Sequence, residues 1–348
     1  MLRITKEVNA GGVKIGGNNP VSIQSMCNTD TRDVCATVSQ IRALTDAGCE
    51  IIRVAVPDME AAQAIKEIKK QIKIPLVADI HFDYRLALES IKSGVDKVRI
   101  NPGNIGDRER VKLVADAAKS RGIPIRIGVN GGSLEKEILK EYGKVTAQAL
   151  VKSALGHIEI LDDVNFSDIV VSIKVSDVTV MLDAYRAFAK ISDIPLHIGV
   201  TEAGTKRLGT VKSSIGIGAL LSEGIGDTMR VSLTADPIEE IYLAKDILRI
   251  LGRRNDGVKF VSCPTCGRTE IDLIKIAKEV EKRLTDCDKN IKVAVMGCAV
   301  NGPGEARDAD IGLAGGKGEC LIFKKGEVLY KVSEDKAIDA LINEIKML

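Results

Sequence analysis

The segment EIIRVAVPDMEAAQAIKEIKKQIKIPLVADIH, residues 50–81, decides the fold. Residues 50–56 form a short β-branched run broken by one arginine, which suits a strand buried on both faces of a parallel sheet. Residues 58–72 then bring apolar side chains round at helical spacing through Met59, Ala62, Ile65, Ile68 and Ile72. A second apolar run, 75–81, ends on Asp79 and His81. Strand, helix and strand in about thirty residues make a βαβ unit. Outward from it, the same alternation runs from Val21 to Gly252. The strand-like runs are 21–26, 50–56, 75–81, 97–102, 124–130, 168–176, 195–201 and 228–233, and a helical segment at 238–251 follows the last. Ile-Pro opens a run at 74–75, 123–124 and 194–195, and an acidic residue stands three before an arginine at Glu50/Arg53, Asp96/Arg99 and Asp227/Arg230. Eight units in about 230 residues match the number and size of a (β/α)8 TIM-type barrel. A doubly wound open sheet would want a Gly-rich fingerprint after its first strand. Met26-Cys27-Asn28-Thr29 is not one, and the glycines around Gly216 and Gly218 lack its spacing.

The polar stretch 252–257 ends the alternation and sets a boundary between a barrel domain, 1–252, and a small α+β domain, 258–348. The second domain reads as a strand at 258–262, the turn CPTCGR, a helix at 270–285, a strand at 291–297, a Gly/Pro loop at 302–318, a hairpin at 320–332 and a helix at 334–347. Composition narrows the function. Of 348 residues 45% are hydrophobic and 28% charged, ordinary values that exclude general disorder. A net charge of +2, ten Phe and Tyr and no Trp are poor material for binding nucleic acid. No apolar run approaches the roughly 20 residues of a membrane span. The opening residues carry no apolar leader, so a cytoplasmic protein is expected. Its eight cysteines then read as metal, redox or buried residues, not as a disulfide framework.

Working residues of such a barrel sit at the C-terminal ends of its strands, where side chains at i and i+2 share a face. One parity picks out Asp79 and His81, Arg99 and Asn101, Arg126 and Asn130, Lys174 and Ser176, and Arg230 and Ser232, with Gln24, Arg53 and His197 as singles. Thr201 and Glu202 close the seventh run. Any one of these could be a strand turning polar as it reaches water. As a set, five cations face two carboxylates, a mouth near +3 that calls for an anionic ligand and suits phosphate or diphosphate. Lys174 fits as a phosphate contact, with a Schiff-base nucleophile as its alternative. His197 reads equally as an acid–base group or a strand histidine. His157 falls in a helical segment and reads as structural. Glu202 is the best proton donor or acceptor, its alternative being a salt bridge to an arginine.

Cys263-Pro-Thr-Cys266 ends one strand of the small domain and Cys298 ends another, followed by Asn301-Gly-Pro-Gly-Glu305. Three thiolates with Glu305 suit an iron–sulfur cluster whose fourth iron takes an exchangeable oxygen. A zinc site completed by Cys287 or Cys320 is equally open on spacing. The remaining cysteines, Cys27, Cys35 and Cys49 included, read as small buried residues.

CPTCGR at 263–268 and MGCAVNGPGEA at 296–306, behind a barrel with QSM at 24–26, ADIHFD at 78–83, VRINPGN at 98–104 and TEAG at 201–204, resemble the bacterial 4-hydroxy-3-methylbut-2-enyl diphosphate synthase family over essentially the whole chain. The resemblance implies a (β/α)8 barrel followed by an α+β iron–sulfur domain, with a 4Fe–4S cluster on Cys263, Cys266, Cys298 and Glu305. It implies a cyclic diphosphate of methylerythritol as substrate, contacted by Arg53, His81, Arg99, Asn101, Arg126, Asn130, Lys174, Arg230 and Ser232, with His197 taken as a further contact. Two electrons from reduced flavodoxin or ferredoxin open the ring and remove a hydroxyl, and Glu202 handles protons. After QSM the family usually shows Thr, and here Cys27 stands there. A linker of six residues reaches at most about 20 Å, less than the roughly 22 Å height of a barrel wall. The cluster domain is therefore expected to cap a partner's barrel in a head-to-tail homodimer, as the family also does. Two other readings remain: a zinc-containing barrel lyase or aldolase acting on a phosphorylated substrate through Lys174, and a non-enzymatic module with a zinc knuckle for RNA.

Overall fold

The computed structural model describes residues 3–299, 304 and 306–348. An antiparallel hairpin comes first, β1 (Glu7–Ala10) and β2 (Val13–Gly16). The barrel strands follow: β3 (Ser22–Met26), β4 (Ile51–Ala55), β5 (Leu76–Asp79), β6 (Lys97–Ile100), β7 (Ile125–Asn130), β8 (Ile169–Lys174), β9 (His197–Ile198) and β10 (Thr228–Met229). They pair in parallel in the order β8-β7-β6-β5-β4-β3-β10-β9, and a parallel bridge between Val171 and Leu196 joins the two ends. The expected eight-stranded barrel is therefore present. Around it run α1 (Val34–Asp46), α2 (Met59–Lys69), α3 (Tyr84–Ser93), α4 (Arg108–Ser120), α5 (Lys136–Tyr142), α6 (Ala147–Asp162), α7 (Val178–Ile191), α8 (Lys206–Ser222) and α9 (Pro237–Ile250). Asp33, Asp58, Asp83, Asp107, Asp177 and Asp236 cap six of these helices, each side chain accepting a backbone N–H from the first turn.

The runs at 195–201 and 228–233 each reduce to two ladder residues. The hairpin was not anticipated. Its Val8, Ala10 and Ile15 pack on Ile51, Val77 and Val170 at the N-terminal ends of strands, so it plugs the bottom of the barrel. The connection from β7 to β8 holds two helices, α5 and α6, where simple alternation needs one. No helix among the described residues is long and apolar enough to cross a membrane.

The chain divides into two compact units, the first ending at Arg253 and the second beginning at Arg254. The second unit is a five-stranded sheet in the order β11 (Lys259–Ser262), β12 (Lys292–Met296), β13 (Ile311–Gly315), β14 (Glu319–Lys324), β15 (Glu327–Ser333), with α10 (Leu273–Leu284) and α11 (Glu334–Met347). β11, β12 and β13 are parallel, and β13 to β15 antiparallel. β13 corrects the reading of 302–318 as loop throughout. Its Ile-Gly-Leu-Ala-Gly composition hid a strand that is buried along its whole length.

Candidate functional site

At the C-terminal ends of the barrel strands, Arg53 on β4, Arg99 on β6, Arg126 on β7, Lys174 on β8 and Arg230 just past β10 surround one carboxylate, Asp79 on β5. Asp79 Oδ1 accepts from Arg99 Nη1 at 3.1 Å, while Oδ2 lies 3.7 Å from Arg53 Nε and 3.6 Å from His81 Nε2. Arg53 also donates to the Met26 sulfur at 2.9 and 3.2 Å, and Arg230 reaches the same atom at 3.8 Å. Behind Arg230, the buried Glu240 of α9 places Oε2 3.4 Å from Nη2 and accepts the Leu233 N–H on Oε1 at 2.9 Å. Arg126 donates to Gln24 Oε1 at 3.5 Å. Gly128 leaves room for Arg99, since a Cβ there would fall 2.3 Å from its Nε.

Arg53, Arg99, Arg126 and Lys174 are each no more than 9% exposed, so these cations face one another with little water between them. Burial pushes Arg53 down to about 10, partly offset by Asp79. Burial, then Arg53 and Arg99, push Arg126 the same way. Guanidinium groups stay protonated at neutral pH, so the strain of like charge falls on the weaker bases. Lys174 is driven well below the usual lysine range by burial and then by Arg126, Arg53, Arg230 and Arg99. Lys97, one face-repeat below Arg99, is fully buried and driven down by burial, Arg126 and Arg53. For Asp79 burial acts upward, but Arg53, the His81 hydrogen bond and Arg99 outweigh it and hold the carboxyl well below its ordinary value. The mouth is thus built to bind negative charge, and its buried amines hold their protons weakly.

A deep cavity of about 150 Å³ is lined by Arg53, Asp79, His81, Arg99, Arg126, Asn130, Lys174, Arg230 and Ser232 among others. A shallower one of about 630 Å³ takes in Asn101, Asn104, Glu202 and the turn Gly131–Ser133, and shares His81, Arg99, Asn130 and Thr201 with the first. The two are compartments of one cleft. Glu202 stands at its rim, exposed, with a left-handed φ of 52°. That is strained backbone for a residue with a side chain, a condition found at working positions. His197 lines neither cavity. It is fully buried, both ring nitrogens lack partners, and burial, Arg126, Lys174 and Lys97 keep it well below the histidine range. Strand parity missed Glu240, which comes from a helix, and the 131–133 turn, which lies beyond its strand.

In the second unit, Cys263 directly follows β11 and Cys298 lies two residues past β12, at the same end of two adjacent parallel strands. The Gly297 N–H donates to Cys263 Sγ at 3.2 Å. The turn through Cys266 folds back, with Cys266 N–H donating to Thr269 Oγ1 and Glu270 N–H to the Gly297 carbonyl. A backbone hydrogen bond from Arg268, then its side chain, lowers the exposed Cys266 thiol. Thiolate character and backbone N–H···S bonding are what a cluster-holding set requires. Among the described residues no three metal-ligating side chains converge on one point, and Glu305 lies outside the described residues. Cys27 and Cys49 are buried and pushed up to about 12, chiefly by that burial, which suits inert packing thiols.

The family model described as GcpE TIM-barrel domain matches residues 5–245, and that described as GcpE protein C-terminal domain matches residues 259–347. A Clostridium acetobutylicum protein is 64% identical over 346 residues, 99% of each chain. A Bacillus cereus protein is 58% identical over 344 residues, 99% of this chain and 93% of the relative. Both carry the name 4-hydroxy-3-methylbut-2-en-1-yl diphosphate synthase (flavodoxin). Among solved structures, a dihydropteroate synthase from Stenotrophomonas maltophilia superposes with a TM-score of 0.53 at 12% identity, over 71% of this chain and 97% of that one. An N-acetylneuraminic acid synthetase from Leptospira borgpetersenii gives 0.52 at 16%, over 72% and 90%. These two likenesses bear on the barrel fold alone.

Proposed function

This chain belongs to the GcpE family, and on that premise we infer that it reductively opens 2-C-methyl-D-erythritol 2,4-cyclodiphosphate to 4-hydroxy-3-methylbut-2-enyl diphosphate. The observation that carries the reading is the mouth itself: five cationic side chains around one carboxylate, in a cleft whose volume suits a small polar ligand. In balance, the ring C–O bond to phosphate breaks and leaves an anionic phosphate oxygen, a hydroxyl takes up one proton and leaves as water, and two electrons are consumed. Arg53, Arg99, Arg126, Lys174 and Arg230 hold the diphosphate, and their positive charge grows in value as the ring opens and the freed phosphate oxygen becomes anionic. His81, Asn101, Asn130 and Ser232 orient the ring by hydrogen bonds. Glu202, at the rim, gives or takes the proton that accompanies loss of the hydroxyl. His197 supports the floor from below and is not proposed as a direct contact.

Cys263, Cys266, Cys298 and Glu305 are the set that would hold a 4Fe–4S cluster. When bound, such a cluster supplies electrons one at a time. Reduced flavodoxin or ferredoxin is the proposed source, in keeping with the word flavodoxin in the relatives' names. The proposal extends to a cytoplasmic enzyme working as a head-to-tail homodimer. The zinc lyase finds no support among the relatives, and Lys174, set among arginines, is better used as a phosphate contact.

The test is anaerobic purification followed by metal, sulfide and absorbance measurement, then turnover with reduced flavodoxin. About four iron and four sulfide per chain, with a brown band bleached on reduction and conversion of the cyclic diphosphate, is the expected result. One zinc, no colour and no conversion would overturn it.

A further inference from the structure

His157 lies on α6, away from every strand end, and is buried to 2% exposure. Its ring stands between two loops. On one side Nε2 is 2.8 Å from Glu135 Oε1, and Ser153 Oγ, also on α6, donates to that oxygen at 3.1 Å. Glu135 follows the turn Gly131–Ser133 by two residues, with the buried Leu134 between. On the other side the ring edge closes on Gly103. A Cβ built there would fall 2.7 Å from His157 Cε1 and 3.4 Å from Nδ1, so only a glycine lets backbone and ring approach this closely. Gly103 N–H donates to Asn101 Oδ1 at 3.1 Å, and Asn104 N–H donates to the Asn101 carbonyl at 2.9 Å. Asn101 and Asn104 form one wall of the 630 Å³ cavity; Asn130 and the 131–133 turn form another.

One imidazole therefore touches the loop behind each wall. We infer that His157 is a positioning residue that sets the spacing between the Asn101 wall and the Asn130 wall, and so the fit of the substrate ring between them. This rests on the reading that the cleft takes the cyclic diphosphate. Both loops leave parallel strands that pair directly, β6 with β7, so their roots are fixed. What remains free is the splay of the loops above those roots, and His157 with Glu135 and Gly103 removes it. A purely space-filling histidine would contribute to stability and leave substrate fit untouched.

Steady-state kinetics on the cluster-loaded enzyme with the cyclic diphosphate, paired with thermal melting, separate the two. Because misplacement by about 1 Å can cost up to 100-fold, His157→Ala and Glu135→Ala are expected to raise KM about tenfold with kcat changed less than about threefold. His157→Gln, whose amide can reach Glu135, should recover most of the loss. Gly103→Ala should raise KM by a similar factor, and combining it with His157→Ala should cost less than the two together, since the new methyl enters the space the ring leaves. Glu135 is on a loop and partly exposed, so its variant tests the idea even if His157→Ala fails to fold. Unchanged KM in Glu135→Ala and His157→Gln, or strict additivity in the Gly103 pair, would overturn the inference alone. A wild-type enzyme that does not convert the substrate would instead overturn the functional reading beneath it.

Discussion

Lys174 is buried among four arginines, so its amine loses solvation and gains repulsion, and its proton is held weakly. A bound diphosphate reverses the repulsion and raises the amine toward its ordinary range. The sign follows: the free enzyme binds less proton at this site than the complex, so binding takes up protons and affinity weakens as pH rises through the free-state value. Below that value the amine is already charged and uptake vanishes. Titration calorimetry in two buffers of different ionisation enthalpy measures this directly. Uptake should be present in the wild type and absent in Lys174→Met; equal observed heats in the two buffers for the wild type would contradict it. Gly128 makes a second residue-scale case. A methyl there overlaps the Arg99 guanidinium, which must leave both Gly128 and Asp79. Gly128→Ala should weaken substrate binding by roughly 10- to 100-fold, with the far-ultraviolet spectrum unchanged. Strand parity made Arg53, Asp79, Arg99, Arg126, Lys174 and Arg230 legible in the sequence, because a barrel mouth is where alternation meets water. Lys97 shares that parity but lies one repeat deeper, and Glu240 acts from a helix, where no strand rule applies.

The acidic residue three before an arginine acquires a reason at the level of strands. Glu50 accepts the Ile23 N–H at 2.7 Å, Asp96 the Leu76 N–H at 2.7 Å, and Asp227 the Leu196 N–H at 2.7 Å. Each carboxylate stands just before its strand and satisfies an N–H within one residue of the start of the neighbouring one. The same device recurs outside the barrel, where Asp310, before β13, accepts the N–H of Lys292, the first residue of β12, at 2.8 Å. It pins parallel register where the ladder has not yet begun. Asp96 also pairs with Lys69 at 2.5 Å. Asp96→Ala should cost about 1.5–3 kcal/mol, read as a lower denaturant midpoint with unchanged slope. A smaller shift would mean that water replaces the carboxylate without penalty. The repeat was visible in the sequence, but its partner strand was not, since pairing is a tertiary fact. The β1–β2 hairpin stayed hidden for a related reason: four-residue strands around Gly11-Gly12 carry little pattern of their own and are held by packing on Ile51, Val77 and Val170.

For the molecule as a whole, eight repeats of one unit made the barrel legible, and the polar stretch after α9 made the change of chemistry legible, because both are long-range regularities of composition. What each unit needs from the other is not written in any local pattern. The chain places its five mouth cations in the first unit and its three motif cysteines in the second. Eight residues, 251–258, join α9 to β11, and in the head-to-tail homodimer proposed above each barrel would be served by a partner's cysteine domain. Complementation decides this. A variant with a disabled barrel, Arg126→Met, and one with a disabled cluster site, Cys298→Ser, are each expected to be inactive. If both units of a working site came from one chain, mixing the two would restore nothing, because every chain carries a defect. If the site is shared head to tail, each mixed dimer holds one site with two intact halves and one with two defective halves. Random exchange should then restore about a quarter of wild-type activity, since half the dimers are mixed and half their sites work. Recovery must also depend on unfolding and refolding the two variants together, or on expressing them together, because subunits that never exchange cannot complement. Co-expression with separate tags allows the mixed dimer to be isolated, and its activity should approach half that of the wild type. No activity in that isolated species would reject the shared site.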